Sequence, residues 1–543
     1  MNSTHASALP EYDYIVVGAG SAGCIVAGEL AQDPSVRVLV LEPGDAAEDN
    51  PETLAAAEYK EAFINPRLMW DRYSVPQPEC ADHRLFMGSG RGVGGSGAIN
   101  AMVYLRGAEH DYRQWNTRGW QWSDVVPDFE RLEARLGLGR QPPTRFADAC
   151  IRAAVESGFQ HKDDFHDGRL SGYLGYEWMN QQGGERRHSY AAFLKPLLGR
   201  PNLTIATHAT VHRIRCDGER RARVVEYLDE GHGGQMCAAR ARREIVLCAG
   251  ALATPRILLL SGIGPGRELQ ALGIPVVADS PGVGRNLHDH PNVILFFKGR
   301  QPTDCTWAQL YGFHRAHPNS DLAPGEADTC YVFYSARSSF REGMIRLLPG
   351  MMLPEAVYGL GWPVDVVRSG LKSVFQPRPV RSFIEHLYGI VIILGKPKSR
   401  GSVRLQSAWP GEPALIDPGY LREPEDLETL VRAVRLARRV ASAPALATWG
   451  NFELMPGPLA RSDAAIERFV RKNIMTTYHY AGTCRMGDDE DAVVDGELRV
   501  RGVRGLRVAD ASVIPFTPVS AMNAPSMLVG YRAARLLRGE RLV

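Results

Sequence analysis

The sequence predicts an α/β fold of two domains interleaved along the chain. One is Rossmann-like, and the other is a mixed α+β region that breaks into it. Three observations carry this expectation. The chain has 543 residues, whereas a single hydrophobic core stops growing at roughly 250–300. Residues 12–41 read as strand, glycine turn, helix and strand. Glycine- and alanine-rich turns return after residue 478, whereas 300–475 carries mixed strands and helices and no nucleotide fingerprint.

The elements follow in order. Tyr12–Val17 is a short apolar run of β type. Gly18-Ala19-Gly20-Ser21-Ala22-Gly23 follows, and Cys24–Ala31 reads as a helix with Ile25, Val26 and Leu30 on its apolar side. A second apolar run, Val36–Leu41, ends at Glu42. Pro43–Asp82 has no clear period, and Gly88–Gly97 is glycine-dense. Trp122–Leu136 is helical; Leu203–Ile214, Val224–Tyr227 and Glu244–Cys248 are strands. Thr254–Ser261 is a helix with Pro255 at a tolerated early position. Glu425–Ser442 is a charged, periodic helix expected on the surface. The resulting division is 1–145, 201–298 and 476–543 for the dinucleotide domain, and 146–200 with 299–475 for the other.

Bulk composition narrows the function class. Hydrophobic residues make up 44% and charged residues 23%, as in ordinary globular proteins. A net charge of +2 gives no reason to expect a nucleic-acid partner. The nine cysteines are scattered and odd in number, with no CxxC pair; reduced thiols in a cytoplasmic protein are expected. No signal peptide and no apolar stretch of spanning length are visible. Leu347–Trp362 comes nearest, and with two prolines and Glu355 it reads as a buried or channel-lining segment. A peripheral membrane contact is the other reading of it. No histidine, cysteine or carboxylate cluster has metal-ligand spacing. His161 and His166, among acids, read as parts of a solvated loop.

The glycine turn has the context of a dinucleotide cradle. It follows a strand, opens a helix, and is followed 19 residues after Gly23 by Glu42 at the end of the second strand. Gly18 permits the tight turn, Gly20 the approach of a pyrophosphate, and Gly23 close helix–strand packing. The helix N-terminus favours the phosphates, and Glu42 suits a ribose hydroxyl. The motif alone does not choose between FAD and NAD. A second glycine loop, Gly90-Arg91-Gly92-Val93-Gly94-Gly95-Ser96-Gly97-Ala98-Ile99-Asn100, allows backbone to lie against a planar ligand or a phosphate.

Four further passages make the chain recognisable. They are Ala249-Gly250-Ala251 with Thr254-Pro255 and Leu258–Pro265; Pro281–His290, reading PGVGRNLHDH; His479–Gly487, reading HYAGTCRMG; and Val508–Ser512 with Asn523-Ala524-Pro525. With the two glycine loops they resemble, in order, the signatures of the glucose–methanol–choline (GMC) oxidoreductase family. Within it the text is most similar to choline-dehydrogenase-like bacterial alcohol dehydrogenases. The resemblance implies a Rossmann-like FAD domain and a substrate domain on a mostly antiparallel sheet. It carries cofactor binding onto Gly18, Gly20, Ser21, Ala22, Gly23 and Glu42; onto Gly94, Gly95, Ser96, Asn100, Ala101 and Val103; and onto Val211, Ala249, Gly250, Asp510, Ala511, Asn523, Ala524 and Pro525. It implies two catalytic residues near flavin N5, His479 and Asn523. His288 and His290, inside their stretch, are read as structural.

The implied reaction suits those residue types. Oxidising an alcohol to an aldehyde removes a hydride, which only a cofactor can accept, and a proton, which neutral histidine can take. Asn523 can hold the oxygen through its amide without titrating. The chain departs from family text at Pro43, at Ser89 in place of an arginine, and at Gly97 in place of a serine. The last two predict a more mobile loop. Ile99 stands where some members attach FAD through histidine, so noncovalent FAD is expected. The electron acceptor is expected to be oxygen or a quinone. A hydroxynitrile-lyase-like or light-driven decarboxylase-like flavoprotein is the alternative. Aromatic residues Tyr331, Phe333, Tyr334, Phe340, Tyr358 and Trp362 favour an aliphatic or aromatic primary alcohol.

Overall fold

The computed structural model describes residues 9–353 and 362–542. The opening unit is β1 (Glu11–Val17), α1 (Gly23–Leu30) and β2 (Val38–Leu41). Tyr14–Val17 and Val38–Leu41 are buried residue by residue rather than alternately, the pattern of parallel strands covered on both faces. Helix α1 is buried on every side; it is apolar except for Glu29, which pairs with Arg135 and Arg538. Its two glycine contacts explain how: a methyl at Gly28 would lie 2.5 Å from the Phe193 carbonyl, and one at Gly530 2.7 Å from Ala22 Cα. The C-terminal helix Asn523–Leu537 thus crosses α1 at van der Waals contact.

Seven strands build the first sheet. Leu203–Ala206, β2, β1 and Gln235–Leu247 run parallel in that order. Gln235–Arg240 also pairs antiparallel with Ala222–Asp229, which pairs with Ala209–Cys216, while Ile245–Leu247 pairs parallel with Leu506–Val508. The reading of Leu203–Ile214 as one strand is corrected: the chain turns at His208, whose φ is +56°, and two strands result.

The second sheet is antiparallel apart from one short edge pairing. Its order is Phe452–Met455, Pro291–Lys298, Leu387–Leu394, Thr329–Ser335, Ala308–His314, Tyr173–Tyr176 and Gln160–His161. Residues 291–298, grouped by sequence with the dinucleotide domain, are a strand of this sheet. Alternation along Thr329–Ser335 sends Tyr331 and Phe333 into a core beneath the helices, and Cys330 and Val332 into another with Tyr311, Leu105 and Val519. Each fully buried aromatic of this kind stabilises by about 1.5–3 kcal/mol. The helix Pro424–Ser442 is a correction to the surface reading: Leu427, Leu430, Val434, Ala437 and Val440 are buried in the core that includes Ile390 and Ile392 of the sheet. Most of its charges occupy the outer face, while buried Asp426 accepts from the amides of Lys398 and Ser399.

Two smaller corrections follow. Residues 347–352 end the helix Ala336–Met352, Trp362 is 67% exposed, and residues 354–361, including Tyr358, lie outside the described ones. His166 is not solvated; its ring packs beside Tyr104 and Trp178, 3.8 Å from Glu133.

Candidate active site

The two glycine loops stack on each other. The Gly94 amide donates to the Ala19 carbonyl (2.7 Å), and a methyl at Gly95, where φ is +54°, would lie 2.7 Å from Gly20 Cα. Glu42 is buried and accepts from the amides of Ala19 (2.9 Å), Gly44 (3.1 Å) and Gly92 (2.8 Å). Burial raises its pKa against those three donors. A carboxylate has about four acceptor positions, so one remains for a ligand hydroxyl. Gly18 and Gly23 are required by the protein itself: methyls there would meet the Cys248 carbonyl at 2.6 Å and the Gly18 carbonyl at 1.9 Å. Gly20 is different. A methyl there meets nothing nearer than 4.0 Å, so the chain's own packing does not ask for glycine at that position.

The remaining passages converge on this cradle. Asp510 accepts from the Gly250 amide, Thr254 Oγ1 and the Ser512 amide. Thr483 Oγ1 donates to the Ala251 carbonyl, and the Cys484 amide to that of Ser512. Ala511 accepts from the Gly482 amide. Val211 lies on the strand whose first residue, Ala209, donates to the Glu42 carbonyl. Asn523 opens the C-terminal helix, with Ala524 and Pro525 buried behind it. Its Oδ1 accepts from Ser21 Oγ (2.9 Å), which leaves Nδ2 a buried donor with no hydrogen-bond partner.

His479 is held by Asp289. One Asp289 oxygen accepts from the backbone amides of His290 (2.8 Å) and His479 (2.7 Å); the other accepts from Thr476 Oγ1 and Tyr420 Oη. Burial raises the Asp289 pKa, and the four donors oppose it. Tyr478, just before His479, has a φ of +62°, an uncommon conformation for a bulky residue. Its amide donates to Thr476 Oγ1 (2.7 Å). Burial lowers the His479 pKa to about 4, so the ring is neutral at pH 7 and able to accept a proton. The described hydrogen bonds take His479 and Asn523 in different directions: Asn523 to Ser21, His479 to the histidine at 290.

The GMC oxidoreductase family models match residues 12–292 and 397–530. The chain belongs to the GMC oxidoreductase family. It is 34% identical to an oxygen-dependent choline dehydrogenase of Paraburkholderia phymatum, over 98% of this chain and 93% of that protein. It is 32% identical to an alcohol dehydrogenase [acceptor] of Pseudomonas putida, over 97% and 95%. Among solved structures it is similar to pyridoxine 4-oxidase from Mesorbium loti (TM-score 0.81, 28% identity, 98% and 100% covered). Formate oxidase from Aspergillus oryzae shares the fold (TM-score 0.84, 24% identity, 98% and 99% covered).

GMC proteins are FAD-dependent, and FAD is the cofactor here. The residues fit it. The space over Gly20 suits a pyrophosphate, α1 begins with no side-chain cap and no acid in its first turn, and Asn523 Nδ2 offers an unused buried donor. The departures from GMC text also acquire reasons. A side chain at Gly97 would meet Ser21 Oγ at 2.7 Å. Ser89 Oγ accepts from Arg72 Nη1 (2.6 Å), so an arginine from residue 72 reaches the position of the missing one. Against the expected mobility of the loop stand three hydrogen bonds, from the amides of Gly92, Val93 and Gly94 to Glu42, Asp45 and Ala19. Ile99 is buried among Ala62, Leu68, Met69, Phe86 and Ala98.

Sequence reasoning missed three groups. Arg186 is fully buried and donates to the Gly97 and Asn100 carbonyls and to Asn100 Oδ1. His188 lies under the loop, with Nε2 donating to the Thr53 carbonyl (3.1 Å), and burial lowers its pKa to about 3. Asp289 and His290 were visible in PGVGRNLHDH, but their partners at 476–479 lie almost 190 residues away. His288 is structural, as its sequence suggests: Nδ1 donates to the Asn286 carbonyl (2.8 Å), and the ring packs on Gly482. Ala101 is exposed and Val103 half-buried, beside Asn100. Among the described residues, no group of three or more metal-ligating side chains is placed to hold a metal ion.

Proposed function

We propose that this GMC oxidoreductase oxidises a primary aliphatic or aromatic alcohol to the aldehyde, with His479 as the proton acceptor. The observation that carries it is a half-buried histidine kept neutral at physiological pH and fixed at its backbone by Asp289. FAD held in the cradle supplies the hydride acceptor that no side chain provides. His479 takes the hydroxyl proton, and Asn523, its oxygen occupied by Ser21, presents Nδ2 to an oxygen atom. The named relatives are dehydrogenases and oxidases, which disfavours the lyase and light-driven alternatives.

The finer points stay within this proposal. The substrate class rests on the Phe296–Tyr334–Phe340 aromatic cluster. Tyr331 and Phe333 pack in one core, and Cys330, Val332 and Tyr311 in another. FAD is bound noncovalently, because Ile99 has no nucleophile. The five-segment division of the chain is kept with one boundary moved, residues 291–298 going with the antiparallel sheet. Oxygen or a quinone takes the electrons, in the cytoplasm. No described helix is long and apolar enough to cross a membrane, but Trp362, Val366, Val374 and Phe383 are exposed, which supports peripheral contact. Adding a panel of alcohols to the holoenzyme under nitrogen tests the reading. Bleaching of the visible flavin band by primary alcohols is the expected result; bleaching by none of them, or only by sugars, overturns it.

A further inference from the structure

His479 Nδ1 lies 2.9 Å from His290 Nδ1, with the two rings at 89°. Two ring nitrogens this close share one hydrogen: one donates and the other accepts. Two N–H groups would collide there, and two lone pairs would repel. Nδ1 of each ring is engaged with the other, so Nε2 is the one nitrogen of His479 left to take a proton. A base needs a lone pair there, so the single hydrogen of neutral His479 belongs on Nδ1, which donates to His290. Nδ1 of neutral His290 is then a lone pair, and its hydrogen sits on Nε2. His290 is 1% exposed, and its Nε2 is closed off from solvent.

We propose that His290 is a positioning residue that fixes the tautomer of His479, so that Nε2 of His479 is the atom that takes the substrate proton. This rests on the reading of His479 as the base. The proton balance is simple. The alcohol O–H bond breaks, its proton goes to His479 Nε2, and His479 becomes an imidazolium. The Nδ1 hydrogen remains between the rings, and its bond to His290 becomes charge-assisted, roughly twice as strong as the neutral one. Among the described residues, no carboxylate is hydrogen-bonded to either imidazole. Asp289 is spent on the two backbone amides and two hydroxyls, so a second histidine does what a carboxylate does in a hydrolase triad. The other charged or titratable groups near His290 are His288 and Lys396. Burial first, and then these two groups, keep its cationic form disfavoured, which suits an acceptor that must stay neutral until the reaction.

The test is nitrogen NMR of the oxidised holoenzyme with labelled histidine. The chain has 15 histidines, and the His479 signals are those lost in His479→Gln. The expected wild-type spectrum has His479 protonated on Nδ1 at neutral pH. In His290→Ala the His479 tautomers mix, flavin reduction by alcohol slows about 10- to 100-fold, as for loss of an orienting partner of a functional histidine, and the low-pH limb of the rate shifts. His290→Asn, whose amide oxygen can stand where Nδ1 stood, restores the Nδ1–H tautomer and most of the rate. A wild-type His479 protonated on Nε2 overturns the proposal by itself, even where a variant fails to fold. So does a His290→Ala enzyme with unchanged tautomer, rate and pH limb while His479→Ala is inactive. Full activity in His479→Ala instead removes the underlying reading of the base.

Discussion

Two alanines placed three residues apart should separate the needs of the cofactor from those of the fold. At Gly20 an added methyl meets nothing nearer than 4.0 Å, so Gly20→Ala should leave the apoprotein within about 0.5 kcal/mol of the parent. It does, however, stand in the space left for the pyrophosphate. Retreat of an anion from one backbone N–H forfeits a charge-assisted bond of about 1.5–3 kcal/mol, which is about a 10- to 100-fold weaker Kd for FAD. At Gly23 the methyl would lie 1.9 Å from the Gly18 carbonyl. That contact is with backbone, so the turn itself must move, at about 1–3 kcal/mol or more of fold stability. The assay is urea unfolding of the apoproteins together with FAD titration followed by flavin fluorescence. Gly20→Ala that binds FAD as tightly as the parent, or Gly23→Ala as stable as the parent, would refute the division of roles within the turn.

Three further outcomes follow from the same geometry. His188, fully buried, has a folded pKa of about 3, below the ordinary value of 6.5; the unfolded chain therefore binds the extra proton, stability is complete above pH 6.5 and is lost as pH falls, by about 3 kcal/mol at pH 4. Stability against pH measured on His188→Gln should be flatter; an unchanged slope contradicts this. Asp289→Asn keeps an acceptor for two backbone amides, and both hydroxyls can turn to accept from its amide, so only charge assistance is lost, about 2 kcal/mol in urea unfolding; a variant with the parent's midpoint would show the carboxyl to be already protonated. Gly97→Ser should weaken FAD retention by colliding with Ser21 Oγ, at 2.7 Å from the new Cβ, and Ser21→Ala in the same chain should restore part of it; additive effects would place the collision elsewhere.

Much of the dinucleotide domain is legible because its signals are local. Gly18–Gly23, the buried run Val38–Leu41 and Glu42 lie within one strand–turn–helix–strand unit. The helix Trp122–Leu136 is read to the residue, since its apolar period is clear. Gln235–Leu247 is read only from Glu244, because its first part is strand with alternating arginines and no apolar run. His208 turns the chain at φ +56° without a glycine or proline to announce it. The helix Pro424–Ser442 looks exposed by composition, yet its buried stripe covers a sheet whose strands come from three distant stretches. The site divides in the same way. Its motifs are legible one by one, but the meeting of His290 with His479, and of Ser21 with Asn523, spans 189 and 502 residues and exists only after folding.

The central claim is that His479 accepts the proton of an alcohol whose hydride goes to FAD. Its most direct test is rapid mixing of alcohol with oxidised holoenzyme under nitrogen, comparing the parent with His479→Ala. The account predicts the same FAD content and fold, with flavin reduction slowed about 10²- to 10⁴-fold, the share of a general base. Reduction of His479→Ala at the parent rate would contradict it.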